Sequence, residues 1–307
     1  MRFFTTLALL VVVCASDIAA QLVVTYEAQE AAVKQQLSSG AAQLTIPDYP
    51  VSATETATLQ LRRRRSAVDA TTQWIVPTSI GDKQVQGPDL TLYSGEIVGI
   101  AGSKVWLVYT AQTNQVYSVV QQKDATSTIQ LPPQSAFNCT TSEIIPEHIT
   151  RRAKDMTPLL LANKPLLQVD VAVETDVEFF KATGSTLLKA QAYTAALYSV
   201  VSAIYEDEVR VSVYLPWVKT WTDAPADPYA AKGDPFVLRD AAVPYWKNNY
   251  QAVQRDVYHV LTSTSFGSGG FGYYDALCSK NGDYGMSAVS VQGYNALPTF
   301  AFTYDVY

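Results

Sequence analysis

Histidine, cysteine and charge are all scarce in this chain of 307 residues. Its two histidines, His148 and His259, stand far apart, without the short spacing that brings two imidazoles onto one metal ion. There is no G-x-S-x-G turn and no phosphate-binding glycine loop followed by lysine, which removes the commonest serine-hydrolase and nucleotide-binding readings. Charged residues make up 16% of the chain and the net charge is −6, so the basic face of a nucleic-acid binder is missing. The run Arg62-Arg63-Arg64-Arg65 is too isolated to supply one. No apolar run reaches the roughly 18 residues of a membrane-spanning helix. Glycine and proline, at 15 each, are too few for a collagenous or low-complexity chain. At 48% hydrophobic the chain is too apolar for disorder, and its length admits two average domains or one large one.

The first 20 residues read as a secretory signal peptide. Arg2 supplies the positive start, residues 7–13 form a short apolar core, and Ala19-Ala20 place small residues before Gln21. The mature protein is then secreted. Cys14 leaves with the signal, so Cys139 and Cys278 remain. They either pair with each other or serve separately, one as a functional thiol and one as half of a bridge. Asn138-Cys139-Thr140 fits the N-x-T glycosylation pattern, which places that stretch at the surface.

Two parts follow. Residues 21–155 read as mostly β. Residues 91–107 carry Tyr93, Ile97, Val98, Val105, Trp106 and Leu107, punctuated by Gly95, Gly99 and Gly102, and Asn114-Gln115 precedes a further apolar run at 116–120. Such runs between turn residues predict hairpins. Pro132-Pro133 and the polar residues to 141 predict a linker. Two basic clusters, ending at Arg65 and Arg152, are either processing sites of a secreted precursor or solvated patches.

Residues 156–307 alternate strand and helix. Residues 167–173 predict a strand buried on both faces. Capping chemistry at Thr183-Gly184-Ser185 precedes Leu187, Ala190, Thr194, Leu197, Val201 and Ile204, one face of a long helix. Glu206-Asp207-Glu208 would oppose the dipole of that helix and are expected in the turn beyond it. A second strand is expected at 209–218, a helix capped by Asp234-Pro235 and kinked at Pro244, a third strand at 257–261, an edge strand after the glycine-rich stretch 267–272, and a fifth strand at 286–291. Alternation of this kind predicts a mixed α/β sheet with covering helices. His259 reads as a satisfied strand residue.

The order of these elements resembles the upper half of the catalytic domain of reprolysin/ADAM-like zinc endopeptidases, a branch of the metzincins. Val169-Asp170-Val171-Ala172-Val173-Glu174-Thr175-Asp176 resembles their first strand. The stretch from Asp256 to Thr262 is similar to their D-x-x-H/Q-L-L-T strand, and Gly270-Phe271-Gly272-Tyr273-Tyr274-Asp275-Ala276-Leu277-Cys278 to their edge strand ending in cysteine. Tyr93-Ser94-Gly95-Glu96-Ile97-Val98-Gly99 is similar to the propeptide before such domains.

The resemblance implies a β-rich propeptide at 21–155 and, at 156–307, the N-terminal subdomain of a catalytic domain, with a mixed twisted sheet and an antiparallel edge strand. It implies a polypeptide substrate paired along Gly270, Phe271, Gly272, Tyr273 and Tyr274 by main-chain hydrogen bonds. It offers Cys139 as a zinc-blocking thiol of the zymogen, Cys278 as a cysteine whose bridge partner lies elsewhere, and Asp170 and Asp256 as calcium candidates, with capping or ion pairing as the alternative role of both. The departure is that H-E-x-x-H-x-x-G-x-x-H is absent from the sequence. Zinc is expected in the full-length enzyme, and the chain is expected to stop just before the zinc helix, to hold no zinc and to be inactive as it stands. The alternative is a non-catalytic secreted binding or inhibitory module that retains this subdomain.

Overall fold

The computed structural model of the chain describes residues 21–26, 31–51, 56–121, 165–230, 234–264, 270–272 and 284–288. The signal peptide, the Pro132-Pro133 linker and the whole of 122–164 lie outside them.

The N-terminal part contains β1 (Gln21–Tyr26), α1 (Ala31–Ser38), β2 (Gln43–Pro50), β3 (Thr56–Arg64), β4 (Gln73–Thr78), β5 (Gly81–Val85), β6 (Leu90–Ile97), β7 (Lys104–Thr110) and β8 (Gln115–Gln121). Six of these strands form one sheet in the order β1-β8-β7-β6-β3-β2, every pair antiparallel. The hairpin expectation holds for β6 to β8. Gly99 and Gly102 take positive φ in the turn between β6 and β7, as does Asn114 before β8. Gly95 is no turn residue. It sits inside β6 opposite Leu61, where a Cβ would stand 1.9 Å from the Gln60 carbonyl oxygen.

The C-terminal part contains β9 (Leu167–Thr175), α2 (Val177–Ala182), α3 (Leu187–Val209), β10 (Val211–Thr220), α4 (Pro235–Asn249), β11 (Val257–Thr262), β12 (Gly270–Gly272) and β13 (Tyr284–Ala288). The second sheet runs β12-β13-β11-β9-β10-β4-β5. β13, β11, β9 and β10 are mutually parallel, and β12 is antiparallel at the edge. The expected mixed sheet with an antiparallel edge strand is therefore present. At the other edge lies something the sequence did not announce. β4 joins β10 in parallel register, Trp217 to Gln73, Val218 to Trp74 and Lys219 to Ile75, and brings β5 with it. The hairpin of the N-terminal part is thus built into the sheet of the C-terminal part.

Helix α3 explains why. Residues 190–203 are all buried, so the helix has no solvent face over four turns. One side packs on β9 and β10 through Val200, Val213 and Val218; the other meets Leu92, Trp106, Val108 and Tyr117 of the first sheet, all in one hydrophobic cluster. Tyr117 and Tyr193 meet edge to face at 5.9 Å. A helix buried all round requires cover on all sides, and two sheets provide it.

Three local expectations are corrected. Thr183 ends the short helix α2, its hydroxyl bonded to the Phe179 and Phe180 carbonyls, and α3 starts after Thr186. Glu206, Asp207 and Glu208 lie inside the last turn of α3 rather than beyond it. Their conflict with the helix dipole is offset by cations of the first sheet: Arg64 to Glu206 at 2.9 Å and to Asp207 at 3.0 Å, and Lys104 to Glu208 at 3.3 Å. Arg210 then closes the helix at φ 60°. Helix α4 runs through Pro244 as one element. Asp234 caps it as expected, accepting from Phe236 N at 2.8 Å and Val237 N at 3.1 Å. Tyr245, Trp246 and the following Tyr250 pack against the sheet, and that burial outweighs the lost hydrogen bond.

Gly95→Ala places a methyl against backbone between two paired strands, where nothing can move aside cheaply. It is expected to cost about 3 kcal/mol or more, read as a lowered urea midpoint for the whole chain.

Candidate functional site

The polar residues of the second part concentrate at the carboxyl ends of β9, β10 and β11. Glu174 is in β9 and fully buried. Register places it beside Lys219 of β10 and Val260 of β11, so all three lie on the sheet face that α4 covers. Glu174 Oε1 accepts from Trp221 Nε1 at 3.2 Å. Its Oε2 accepts from Trp246 Nε1 at 2.5 Å and from the Tyr229 hydroxyl. Tyr229 in turn meets the Tyr258 hydroxyl at 3.1 Å, and Trp246 stacks on Tyr258 with centroids 3.9 Å apart. One carboxyl therefore ties together β9, α4 and the two loop aromatics Trp221 and Tyr229.

Burial pushes the Glu174 carboxyl up to about 7, against the pull of Tyr229, of the Lys219 charge and of the two indoles. Asp176 and Asp227 follow the same rule. Asp176 caps α2 by accepting from Phe179 N at 2.7 Å, and burial lifts it to about 7. Asp227 accepts from Val177 N and Tyr229 N, both at 2.7 Å, and burial lifts it to about 6. None of the three faces solvent. They organise the chain where it leaves β9, and they do not present a reactive group.

Lys219 is 1% exposed at its side chain and donates to Asp82 Oδ1 of β5 at 2.8 Å. It also donates to the Tyr250 hydroxyl and lies 4.0 Å from the Trp221 ring centre. Its carboxylate partner thus comes from the N-terminal hairpin.

The sequence-predicted residues fall as follows. Asp170 and Asp256 are brought together. Asp170 N donates to Asp256 Oδ2 at 2.9 Å, Asp256 N donates to the Asp170 carbonyl at 2.8 Å, and Gln168 Nε2 donates to Asp170 Oδ1 at 2.7 Å. That geometry matches a structural clasp between strand starts. Among the described residues no group of three or more His, Cys, Asp or Glu could hold a metal ion. The sequence itself lacks H-E-x-x-H, and the described residues do not make up a catalytic zinc site. Gly270, Phe271 and Gly272 form β12, with β13 on one side and no strand on the other among the described residues. Arg65 is exposed just past β3, a strand paired on both sides. His259 is buried, its Nδ1 2.5 Å from the Tyr198 hydroxyl, as expected of a satisfied strand histidine. Asn138, Cys139, Arg152, Tyr273, Tyr274 and Cys278 lie outside the described residues.

Sequence reasoning missed the roles of Glu174, Lys219 and Asp227. A signal existed for the first two: a glutamate and a lysine each follow directly on the apolar part of a strand, one residue before its end. Asp227 carries none, because a loop aspartate has no pattern to break.

Residues 191–304 match the family described as metallo-peptidase family M12B, reprolysin-like. No curated protein matches the chain. Among solved structures, metalloproteinase-II from Bacteroides fragilis matches at 8% identity over 89% of this chain and 83% of that one, with a TM-score of 0.36. Among the described residues no helix is long and apolar enough to cross a membrane.

The raised carboxyls make stability depend on pH with a definite sign. The unfolded chain loses the Glu174 proton near its ordinary value of 4.5, while the native state keeps it up to about 7. Native stability therefore falls as pH rises through that window, and Asp176 and Asp227 act the same way. His259 opposes them: burial lowers it from 6.5 to about 4, so its contribution is lost as pH falls. Glu174→Gln should gain on the native chain by about 3 kcal/mol between about pH 4 and pH 8. Urea unfolding at both pH values measures this, and a pH-independent difference would mean that Glu174 is ionised in the fold.

Proposed function

We propose that this chain, whose residues 191–304 match the reprolysin-like M12B metallopeptidase family, represents the precursor of a secreted zinc-dependent endopeptidase. On this reading residues 1–20 direct export, 21–155 are a β-rich leader, and 156–307 are the upper, substrate-holding subdomain of the catalytic domain. The observation that carries it is the edge strand: β12 runs antiparallel to β13 beside the parallel run β13, β11, β9 and β10, within the residues that match the family.

An edge strand offers its outward N–H and C=O groups to an extended polypeptide, and recognition then depends on backbone rather than on side chains. Gly270 and Gly272 suit that role, because the absence of a Cβ lets another backbone approach closely. The zinc of the whole enzyme would polarise the scissile carbonyl and activate water. Among the described residues there is no zinc-binding set, so no step through the metal is assigned to them. Cys139 is the candidate thiol for silencing the zymogen, and Arg152 the candidate processing site.

The coding sequence beyond the Tyr307 codon tests the reading directly. An open frame entering H-E-x-x-H-x-x-G-x-x-H supports the protease precursor, and a stop there favours a secreted binding module instead. Two further outcomes are expected of the 307-residue chain. Purified and assayed for metal, it should carry no tightly held zinc. An extended peptide that binds it should lose about tenfold or more in affinity when alternate backbone amides are N-methylated, since each lost main-chain bond to a site shielded from water costs about 1 kcal/mol or more. Equal affinity for both peptides would remove β12 as the binding edge.

A further inference from the structure

We propose that cutting the chain between β8 and β9 does not release its N-terminal part, which stays as a non-covalent partner completing the second sheet. This rests on the proposed cleavage at Arg152 and changes what that cleavage achieves: a two-chain protein instead of a discarded leader.

Three independent sets of contacts argue for it. The first is backbone. β4 pairs with β10 in parallel, and Leu215 N donates to the Ala67 carbonyl at 2.8 Å. Without the hairpin, β10 becomes a bare edge with unpaired groups. The second is apolar. Val68, Trp74, Leu92, Trp106, Val108 and Tyr117 share one core with α3, and the Ala67 amide donates to the buried Ser199 hydroxyl at 3.1 Å. Release would strip cover from a helix face buried in that apolar cluster.

The third set is charge, and it supplies latches at two separated places. Lys219 is buried beside Glu174, and its carboxylate partner is Asp82 on β5. Tyr250 also donates to Asp82 at 2.9 Å, so the aspartate bridges a strand and the end of α4. At the far end of α3, Arg64 holds Glu206 and Asp207. Departure of the N-terminal part would leave a buried ammonium and an acidic helix end without their counter-charges, and a buried charge that loses its partner is costly.

The test uses the full chain. A site-specific protease sequence replaces Arg151-Arg152, the protein is folded intact, cut to completion, and passed over a sizing column without denaturant. The two fragments are expected to elute together at the mass of the uncut chain. Fragments eluting apart overturn the proposal. Asp82→Asn in the same background should let the cut fragments separate about tenfold faster, with Arg64→Gln as a second variant at the other latch. A separation rate unchanged in both variants would overturn the latches. Because the readout is mass and not activity, it stands whether or not the reading frame continues into a zinc motif.

Discussion

Everything in this structure depends on a helix that cannot face water. Over residues 190–203 every side chain of α3 is buried, so it must lie between two layers. The mixed sheet supplies one and the antiparallel sheet the other. Once the helix is placed, the acidic residues of its last turn sit against Arg64 and Lys104, and the hairpin β4–β5 reaches the free edge of β10. The two halves of the sequence consequently share one core and one of the two sheets.

The second face of the mixed sheet follows a different logic. There the core is aromatic and contains a carboxyl. Glu174 is tolerated because Trp221, Tyr229 and Trp246 all donate to it, and because Lys219 lies beside it in register. A buried network of this kind fixes one arrangement of loop and helix, since any slip leaves a donor or the carboxyl unpaired. The loop containing Asp227 and Tyr229 is held by the same means, through amides of α2 and of its own turn. The carboxyl ends of the strands are thereby made rigid, while the opposite side of the sheet ends in the backbone-only edge of β12.

Strand positions in the second part were readable because parallel strands give near-continuous apolar runs, although in 167–173 only Val171 to Val173 are buried and Leu167 and Gln168 are exposed. The long helix was readable from spacing, but its true burial was not. Alanine and serine at positions such as Ala192, Ser199 and Ser202 look neutral in sequence, and only close packing shows them to be core. Glu206 to Glu208 misled for a related reason: the dipole argument is sound for an isolated helix, and the cations that reverse it come from strands more than a hundred residues away. Pro244 is the same case with packing in place of charge. The glycines divided cleanly. Gly99 and Gly102 make a turn through positive φ, whereas Gly95 is needed for the close approach of a neighbouring strand, a distinction no local pattern carries.

The sequence by itself determined the mixed α/β class, the alternation of strand and helix in the second part and the resemblance that the family match over 191–304 bears out. These are properties of local periodicity and of short motifs, which survive being read one segment at a time. Tertiary structure alone decided that β4–β5 belongs to the second sheet, that Asp82 serves Lys219, and that Glu174 is a buried anchor. Each of these joins residues distant in the chain through burial and hydrogen-bond geometry, and neither quantity exists until the chain has folded.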